Sequence, residues 1–207
     1  MSKSTLKGTL VIATNNPDKL KEIKDILKNN DLKLLSPAEL DNFPKIEENG
    51  KTLKENAIIK AKAVWNKYHL PCLADDTGLE VDCLGGKPGV YSSRYAGANA
   101  TYEDNRQKLL REMENIPQPD RTARFRCVMA FIDNNGIEHI TEGTIEGEII
   151  DSCRGDSGFG YDPVFLVPSS GKTLAELSVD EKNKISHRHN ALKKIIPVIK
   201  EKLMRDK

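Results

Sequence analysis

The sequence predicts an α/β protein built on a mixed β-sheet, and two observations carry that prediction. At both ends of the chain, short apolar runs alternate with amphipathic helical stretches, the βαβ type of pattern. In the middle, Asp133-Asn134-Asn135-Gly136 separates two long strand-like runs. At least one antiparallel hairpin therefore joins the sheet.

The elements follow in order. Thr9 to Ala13 reads as a short buried strand. Asn16 can cap a helix, Pro17 suits its first position, and Leu20, Ile23 and Leu27 recur at helical spacing. Asp31 to Leu35 suggests a second strand. Thr52 with Glu55 has the form of a capping box, ahead of a helix with Leu53, Ala57, Ala61, Val64 and Tyr68 on one face. Leu70 to Ala74 reads as a strand ending in the turn-like Asp75-Asp76-Thr77-Gly78, with strand resuming over Leu79 to Leu84. A helix from near Thr101 turns Leu109, Leu110 and Met113 inward. Thr122 to Ile132 and Ile137 to Ile150 form the hairpin arms, and Val164 to Val167 is a short strand. Thr173/Glu176 and Ser178/Glu181 are capping-box pairs. A last helix runs from about His189 to Met204, with Pro197 kinking it or marking a boundary.

Composition limits the function classes. The chain has 207 residues, enough for one domain over 1–207, in one or two lobes with no boundary visible in the string. Apolar residues are 38% and charged residues 30%, a soluble globular profile. With 32 basic and 31 acidic residues, the net charge of +1 argues against long nucleic acid as a partner. Cys72, Cys83, Cys127 and Cys153 form no CxxC pair, so zinc spacing is absent and reduced thiols are expected. No signal-type apolar region or membrane-length run occurs, so a cytoplasmic protein without membrane partners is expected.

Several segments could carry chemistry. Adjacent residues on a strand point opposite ways, so one of Asp75 and Asp76 can face a ligand while the other braces a loop. Glu47-Glu48 adds carboxylates beside an element end, although the pair alone reads as an exposed acidic loop. Carboxylate and phosphate oxygens together are what Mg²⁺ prefers. Thr14-Asn15-Asn16-Pro17-Asp18-Lys19 joins a strand to a helix N-terminus and offers amides, a hydroxyl and a lysine to an anion. It lacks the GxxxxGK[ST] pattern, and a merely capped helix gives the same string. Phe159-Gly160-Tyr161-Asp162 sets two rings and an acid in a glycine-rich loop suited either to base stacking or to a simple turn. Lys182, Lys184, Ser186, His187, Arg188 and His189 form a basic cluster able to clamp phosphate or to cover a solvated helix start.

Five segments taken together resemble the inosine triphosphatase family, the non-canonical purine NTP pyrophosphatases. They are Ala13 to Leu20, Ala74 to Leu79, Gly85 to Gly97, Gly158 to Phe165 and Ser186 to Leu192, in order over nearly the whole chain. The resemblance implies an elongated two-lobed α/β domain, with a long mixed central sheet flanked by helices and a cleft between the lobes. It implies a homodimer that uses Mg²⁺ to hydrolyse ITP, dITP and XTP to the monophosphate and pyrophosphate, cleansing the nucleotide pool. By the same resemblance Thr14, Asn15, Asn16, Pro17, Asp18 and Lys19 hold the triphosphate. Glu48 and Asp76 bind metal, and Asp76 also accepts the proton. Thr77, Lys182, His187 and Arg188 contact substrate, and Phe159, Gly160, Tyr161 and Asp162 stack on and read the base.

Two positions depart from the family pattern. Asn15 stands where many relatives have glycine, a change that left-handed backbone at asparagine would accommodate. His189 stands where glycine often follows the arginine. The rival readings are a Maf-type nucleotide pyrophosphatase, disfavoured by the Phe159 to Pro163 and Ser186 to Arg188 segments, and a binding module without catalysis, disfavoured by Glu48 and Asp76.

Overall fold

The computed structural model describes residues 8–204. Its strands are β1 (Thr9–Ile12), β2 (Lys33–Leu35), β3 (Cys72–Val81), β4 (Lys87–Pro88), β5 (Thr122–Ile132), β6 (Glu138–Ile149), β7 (Phe165–Val167) and β8 (Lys172–Thr173). They form one eight-stranded sheet in the order β2-β1-β3-β5-β6-β7-β8, with β4 paired to β3. β1 runs parallel to β2 and β3, whereas the β3–β4, β6–β7 and β7–β8 pairs are antiparallel. The sheet is therefore mixed, as expected. The helices are α1 (Pro17–Leu27), α2 (Leu53–Tyr68), α3 (Tyr102–Glu112), α4 (Val179–Ile185) and α5 (His187–Met204).

The chain divides into two compact units. The first takes in the chain up to Asp76, Cys127–Gly143 and the segment from Arg188 onward. Its core packs Leu10, Ile12, Leu73, Cys127, Met129 and Phe131 of the sheet against Ile23 and Leu27 of α1 and Leu192, Ile195 and Ile199 of α5. Burying each large aliphatic side chain contributes about 1.5–3 kcal/mol. Strand alternation puts Leu73 and Asp75 on this α1/α5 face and Cys72, Ala74 and Asp76 on the other. There α2 lies, with the Cys72 thiol donating to the Ala61 carbonyl at 3.2 Å.

The second unit takes in Thr77–Arg126 and Thr144–His187. Its core joins Leu79, Val81, Phe125, Ile145, Ile149 and Phe165 to Leu109 of α3 and to Met113 at that helix's C-cap. α3 starts on a full capping box between Thr101 and Asp104.

Several expectations need correction. Asp75-Asp76-Thr77-Gly78 is not a turn at a strand end but the middle of a ten-residue strand, which ends at Val81 rather than Leu84. Cations meet the acid side chains on both faces, and this tertiary pairing overrides the local turn preference. The Thr52 box is half made: Thr52 Oγ1 accepts from Glu55 N at 3.1 Å, but the Glu55 carboxylate takes the N–H of Lys51 instead. Thr173 and Glu176 exchange the two bonds of a capping box without starting a helix, because the Arg154 guanidinium also holds the Glu176 carboxylate and Ser178 opens α4 two residues later. α5 begins at His187, earlier than expected, and continues through Pro197. Asn15 is not left-handed; among the described residues other than glycine, only Asp31, Asn42 and His69 have positive φ.

Candidate functional site

In the first unit the site grows from the junction of β1 and α1. Asn16 caps the helix, its Oδ1 accepting from Asp18 N at 3.0 Å and Lys19 N at 3.1 Å. Thr14 Oγ1 accepts from Asn16 N at 3.3 Å. Pro17, with no N–H to satisfy, takes the first helical position. The loop thus meets a helix N-terminus at the carboxyl end of a parallel strand, where partial positive charge favours an anion.

Lys19 reaches from the first turn of α1 to Asp75, with Nζ 3.1 Å from Oδ2. Arg188, the second residue of α5, sets Nη2 3.6 Å from the same oxygen, and its Nη1 pairs with Glu22 of α1. The Asp75 and Arg188 side chains are essentially sealed from water, at 0% and 1% exposure. Burial works against the Asp75 carboxylate, but Lys19, Arg188 and Lys60 outweigh it and hold its pKa well below the usual range. Burial likewise opposes the Arg188 guanidinium, and Glu22 and Asp75 overcome it, raising the pKa.

The α2 face of β3 carries the second cluster. Lys60 Nζ lies 3.0 Å from Asp76 Oδ1 and 3.2 Å from Glu48 Oε2. Asn56 Nδ2 donates to the other Asp76 oxygen at 3.2 Å. Burial raises the Asp76 pKa against the pull of Lys60 and Lys19, with the Glu48 charge adding to the rise. Burial disfavours the Lys60 ammonium, yet Asp76, Asp75 and Glu48 more than compensate and its pKa rises. One ammonium between two carboxylates marks a point where this protein already favours a cation. All the donor atoms there are hard oxygens. No cluster of three or more His, Cys, Asp or Glu side chains suited to a metal occurs among the described residues.

In the second unit, Phe159 to Asp162 forms a tight turn, with Asp162 N donating to Phe159 O at 3.2 Å. Gly160 supplies φ +62° at its first corner. The Asp162 carboxylate accepts from Phe159 N at 2.8 Å and from Lys182 Nζ at 2.6 Å. That same ammonium lies 5.0 Å from the centre of the Phe159 ring, and Tyr102 packs 5.8 Å from it. Arg106 Nη1 donates to the Gly160 carbonyl at 2.8 Å. An open depression of 1120 Å³ reaches the half-exposed Phe159 beside Tyr102 and Arg106.

Residues 10–198 match the Ham1 family. The chain belongs to that family. A protein from Caldanaerobacter subterraneus subsp. tengcongensis named dITP/XTP pyrophosphatase is 50% identical over 195 residues, covering 94% of this chain and 97% of its own. A Bacillus subtilis protein of the same name is 49% identical, covering 89% and 93%. The solved structure of a HAM1 protein from Coxiella burnetii superposes with a TM-score of 0.84 at 45% identity, covering 93% of this chain and 98% of that one.

In this Ham1 chain the sequence-derived candidates fall into two groups. Thr14, Asn15, Asn16, Pro17, Asp18, Lys19, Glu48, Asp76 and Arg188 belong to the first unit. Thr77, Phe159, Gly160, Tyr161, Asp162, Lys182 and His187 belong to the second. Tyr161 is buried, its hydroxyl donating to Ser92 O at 2.9 Å, so of the two rings Phe159 is the more accessible. His187 is buried with its ring stacked 4.8 Å from Phe125. Arg188 sits within the Lys19–Asp75–Glu22 network.

Four polar residues escaped the sequence reading. Asn56 and Lys60 lie on the same helical stripe as Leu53, Ala57, Ala61 and Val64, and all six are buried. Two polar side chains on an apolar stripe are a readable signal. Glu22 looks like any exposed helical acid, and nothing in the string marks Arg106.

Proposed function

We propose that the protein hydrolyses non-canonical purine nucleoside triphosphates, dITP, ITP and XTP, to the monophosphate and pyrophosphate. The observation that carries this reading is the Glu48–Lys60–Asp76 cluster beside the Lys19 helix start. It sets a cation-favouring pair of carboxylates next to an anion-favouring loop. The names borne by relatives of about half-identical sequence support the substrate class.

Glu48 and Asp76 would hold Mg²⁺, which neutralises phosphate charge and orients phosphate oxygens when bound. The chain's own groups supply the rest. Thr14 to Lys19 receives phosphate oxygens at the α1 N-terminus. Asp75, by pairing with Lys19 and Arg188, keeps both cations in place. Asp76, whose pKa is raised, is suited to accept a proton from the water that attacks the phosphorus. Phe159 supplies a face for a purine to stack on. The Gly160 carbonyl already accepts from Arg106, which leaves one lone pair there for a further donor. A 6-oxo purine asks for donors instead, which backbone N–H groups of the turn can provide.

Incubation of the purified protein with dITP, XTP, ATP and GTP plus Mg²⁺ tests the reading. Pyrophosphate and the nucleoside monophosphate should appear from dITP and XTP, with kcat/KM roughly a hundredfold above ATP and GTP, about 2.7 kcal/mol of discrimination. EDTA should abolish turnover and Mg²⁺ restore it. Release of orthophosphate, or equal rates on all four substrates, would overturn the assignment.

The family resemblance supports a homodimer, and a cytoplasmic location is proposed with it. Among the described residues no helix is long and apolar enough to cross a membrane. Light scattering should report twice the 23.1 kDa chain mass; a persistent monomer at micromolar concentration would exclude the dimer.

A further inference from the structure

We propose that Asn56 is a positioning residue, fixing the loop that bears Glu48 at the separation from Asp76 that a shared divalent cation needs. The proposal rests on the reading of Glu48 and Asp76 as the cation-binding pair. Asn56 is fully buried, at 0% exposure, on a helical stripe otherwise dominated by aliphatic side chains. An aliphatic residue would cost less there, so the amide is explained by the bonds it makes. Its Oδ1 accepts from Gly50 N at 2.8 Å and its Nδ2 donates to Asp76 Oδ2 at 3.2 Å. One side chain thereby ties the backbone two residues beyond Glu48 directly to the carboxylate of Asp76.

The approach of that loop depends on residue 50. A β-carbon on Gly50 would stand 2.6 Å from Asn56 Oδ1 and 2.7 Å from Glu55 Cβ. Only glycine lets the backbone come this close. Lys60, one turn further along α2, makes a parallel link from Asp76 Oδ1 to Glu48. The two links respond differently to a cation. A divalent ion held by Glu48 and Asp76 would repel the Lys60 ammonium and compete with it for carboxylate oxygens. Asn56 is uncharged and uses the other oxygen of Asp76, so its link persists. Asn56 then preserves the spacing while Lys60 yields.

Two readouts test this. In Asn56→Ala, amide hydrogen exchange at Gly50 should accelerate about tenfold or more, while amides from Ala57 to Val64 of α2 keep their wild-type rates. The half-saturating Mg²⁺ concentration for dITP hydrolysis should rise about tenfold, the scale on which partners behind a metal ligand act. The KM for dITP at saturating Mg²⁺ should stay within roughly twofold, because no substrate contact is removed. Gly50→Ala replaces no residue of α2 but sets a β-carbon against Glu55 and Asn56 in its first turn, so it should push the loop away and move the same Mg²⁺ parameter, which covers a failure of Asn56→Ala to fold. Unchanged Mg²⁺ half-saturation in both variants would overturn the proposal. So would an equal rise in both constants with faster exchange throughout α2. Full wild-type activity in EDTA is a different failure: it would remove the cation-binding reading itself.

Discussion

Glu22 offers a sharp test of the first unit's electrostatics. Four groups meet there: Lys19, Arg188, Glu22 and Asp75, two cations balanced by two acids. Arg188 and Asp75 are sealed from water, and the Glu22 side chain is only 13% exposed. At an effective dielectric constant of about 20, the contacts of Lys19 and Arg188 with Asp75 are each worth roughly 5 kcal/mol before desolvation. Glu22→Ala leaves two cations sharing one carboxylate, one of them a guanidinium with no route to water. Removing one partner of a buried pair costs about 3–5 kcal/mol. The residual exposure of Glu22 argues for the lower end. A loss of about 3 kcal/mol corresponds to a melting temperature lower by roughly 6–12 °C for a chain of this size. Urea unfolding at neutral pH supplies the free energy and calorimetry the temperature. The double variant Glu22→Ala/Arg188→Met should recover much of the loss, because it removes the stranded charge as well. A loss below about 1 kcal/mol, the scale of a surface ion pair, would refute the argument. A double variant no more stable than the single would show that the stranded guanidinium is not the cause.

Three further outcomes follow from the same geometry. Asp76→Asn should fold normally and lose a factor of roughly a hundred or more in kcat; near-normal turnover at saturating Mg²⁺ would remove Asp76 from the chemistry. Lys60→Met should leave Asp76 and Glu48 without their shared counter-ion, so the metal-free protein should melt lower and regain stability when Mg²⁺ is added; a metal-free melting temperature equal to wild type would contradict this. Asp75 has its pKa depressed by folding, so its stabilisation is complete above its ordinary value of about 3.9 and is lost as pH falls through that value toward the folded one. Asp75→Asn should therefore be less stable than wild type at pH 7 and lose less further stability between about pH 5 and 2; parallel acid profiles for the two proteins would refute it.

The parts of the fold legible in the sequence were those fixed by local chemistry. Asn16-Pro17 announced α1 because cap and first-turn preferences act within four residues. Asp133 to Gly136 announced the hairpin between β5 and β6 because its turn bonds are local, including Gly136 N to Asp133 O at 3.0 Å. The middle of β3 was misread because Asp-Asp-Thr-Gly favours a turn in isolation. Its partners come from positions 19, 60 and 188, too distant in sequence for a window to register. Glu48 and Asp76 were placed by resemblance, and the structure gathers both around one ammonium. Lys60 itself was missed because a lysine in a charged helix is usually solvated, although its place on the apolar Leu53 to Val64 stripe was a readable signal. Arg188, expected to contact substrate, lies within a buried acid–base network in which Glu22 and Asp75 compensate its charge, partners too distant in sequence to be read from the string.

The two adjacent aspartates show how a strand assigns opposite tasks to one residue type. A two-residue period sends Asp75 toward α1 and α5 and Asp76 toward α2. Asp75 meets Lys19 and Arg188, and its carboxylate is driven toward permanent charge. Asp76 meets one ammonium, one neutral amide and the like charge of Glu48, and its pKa moves the opposite way. A group that never takes a proton at physiological pH can only organise cations. A carboxylate with a raised pKa and an uncharged donor beside it can take a proton and give it back. Exchanging the roles would require exchanging the faces, and a one-residue slip in the register of β3 would do that while turning Leu73 out of its core. Packing of Leu73 against the α1/α5 core thus fixes which aspartate is available for chemistry.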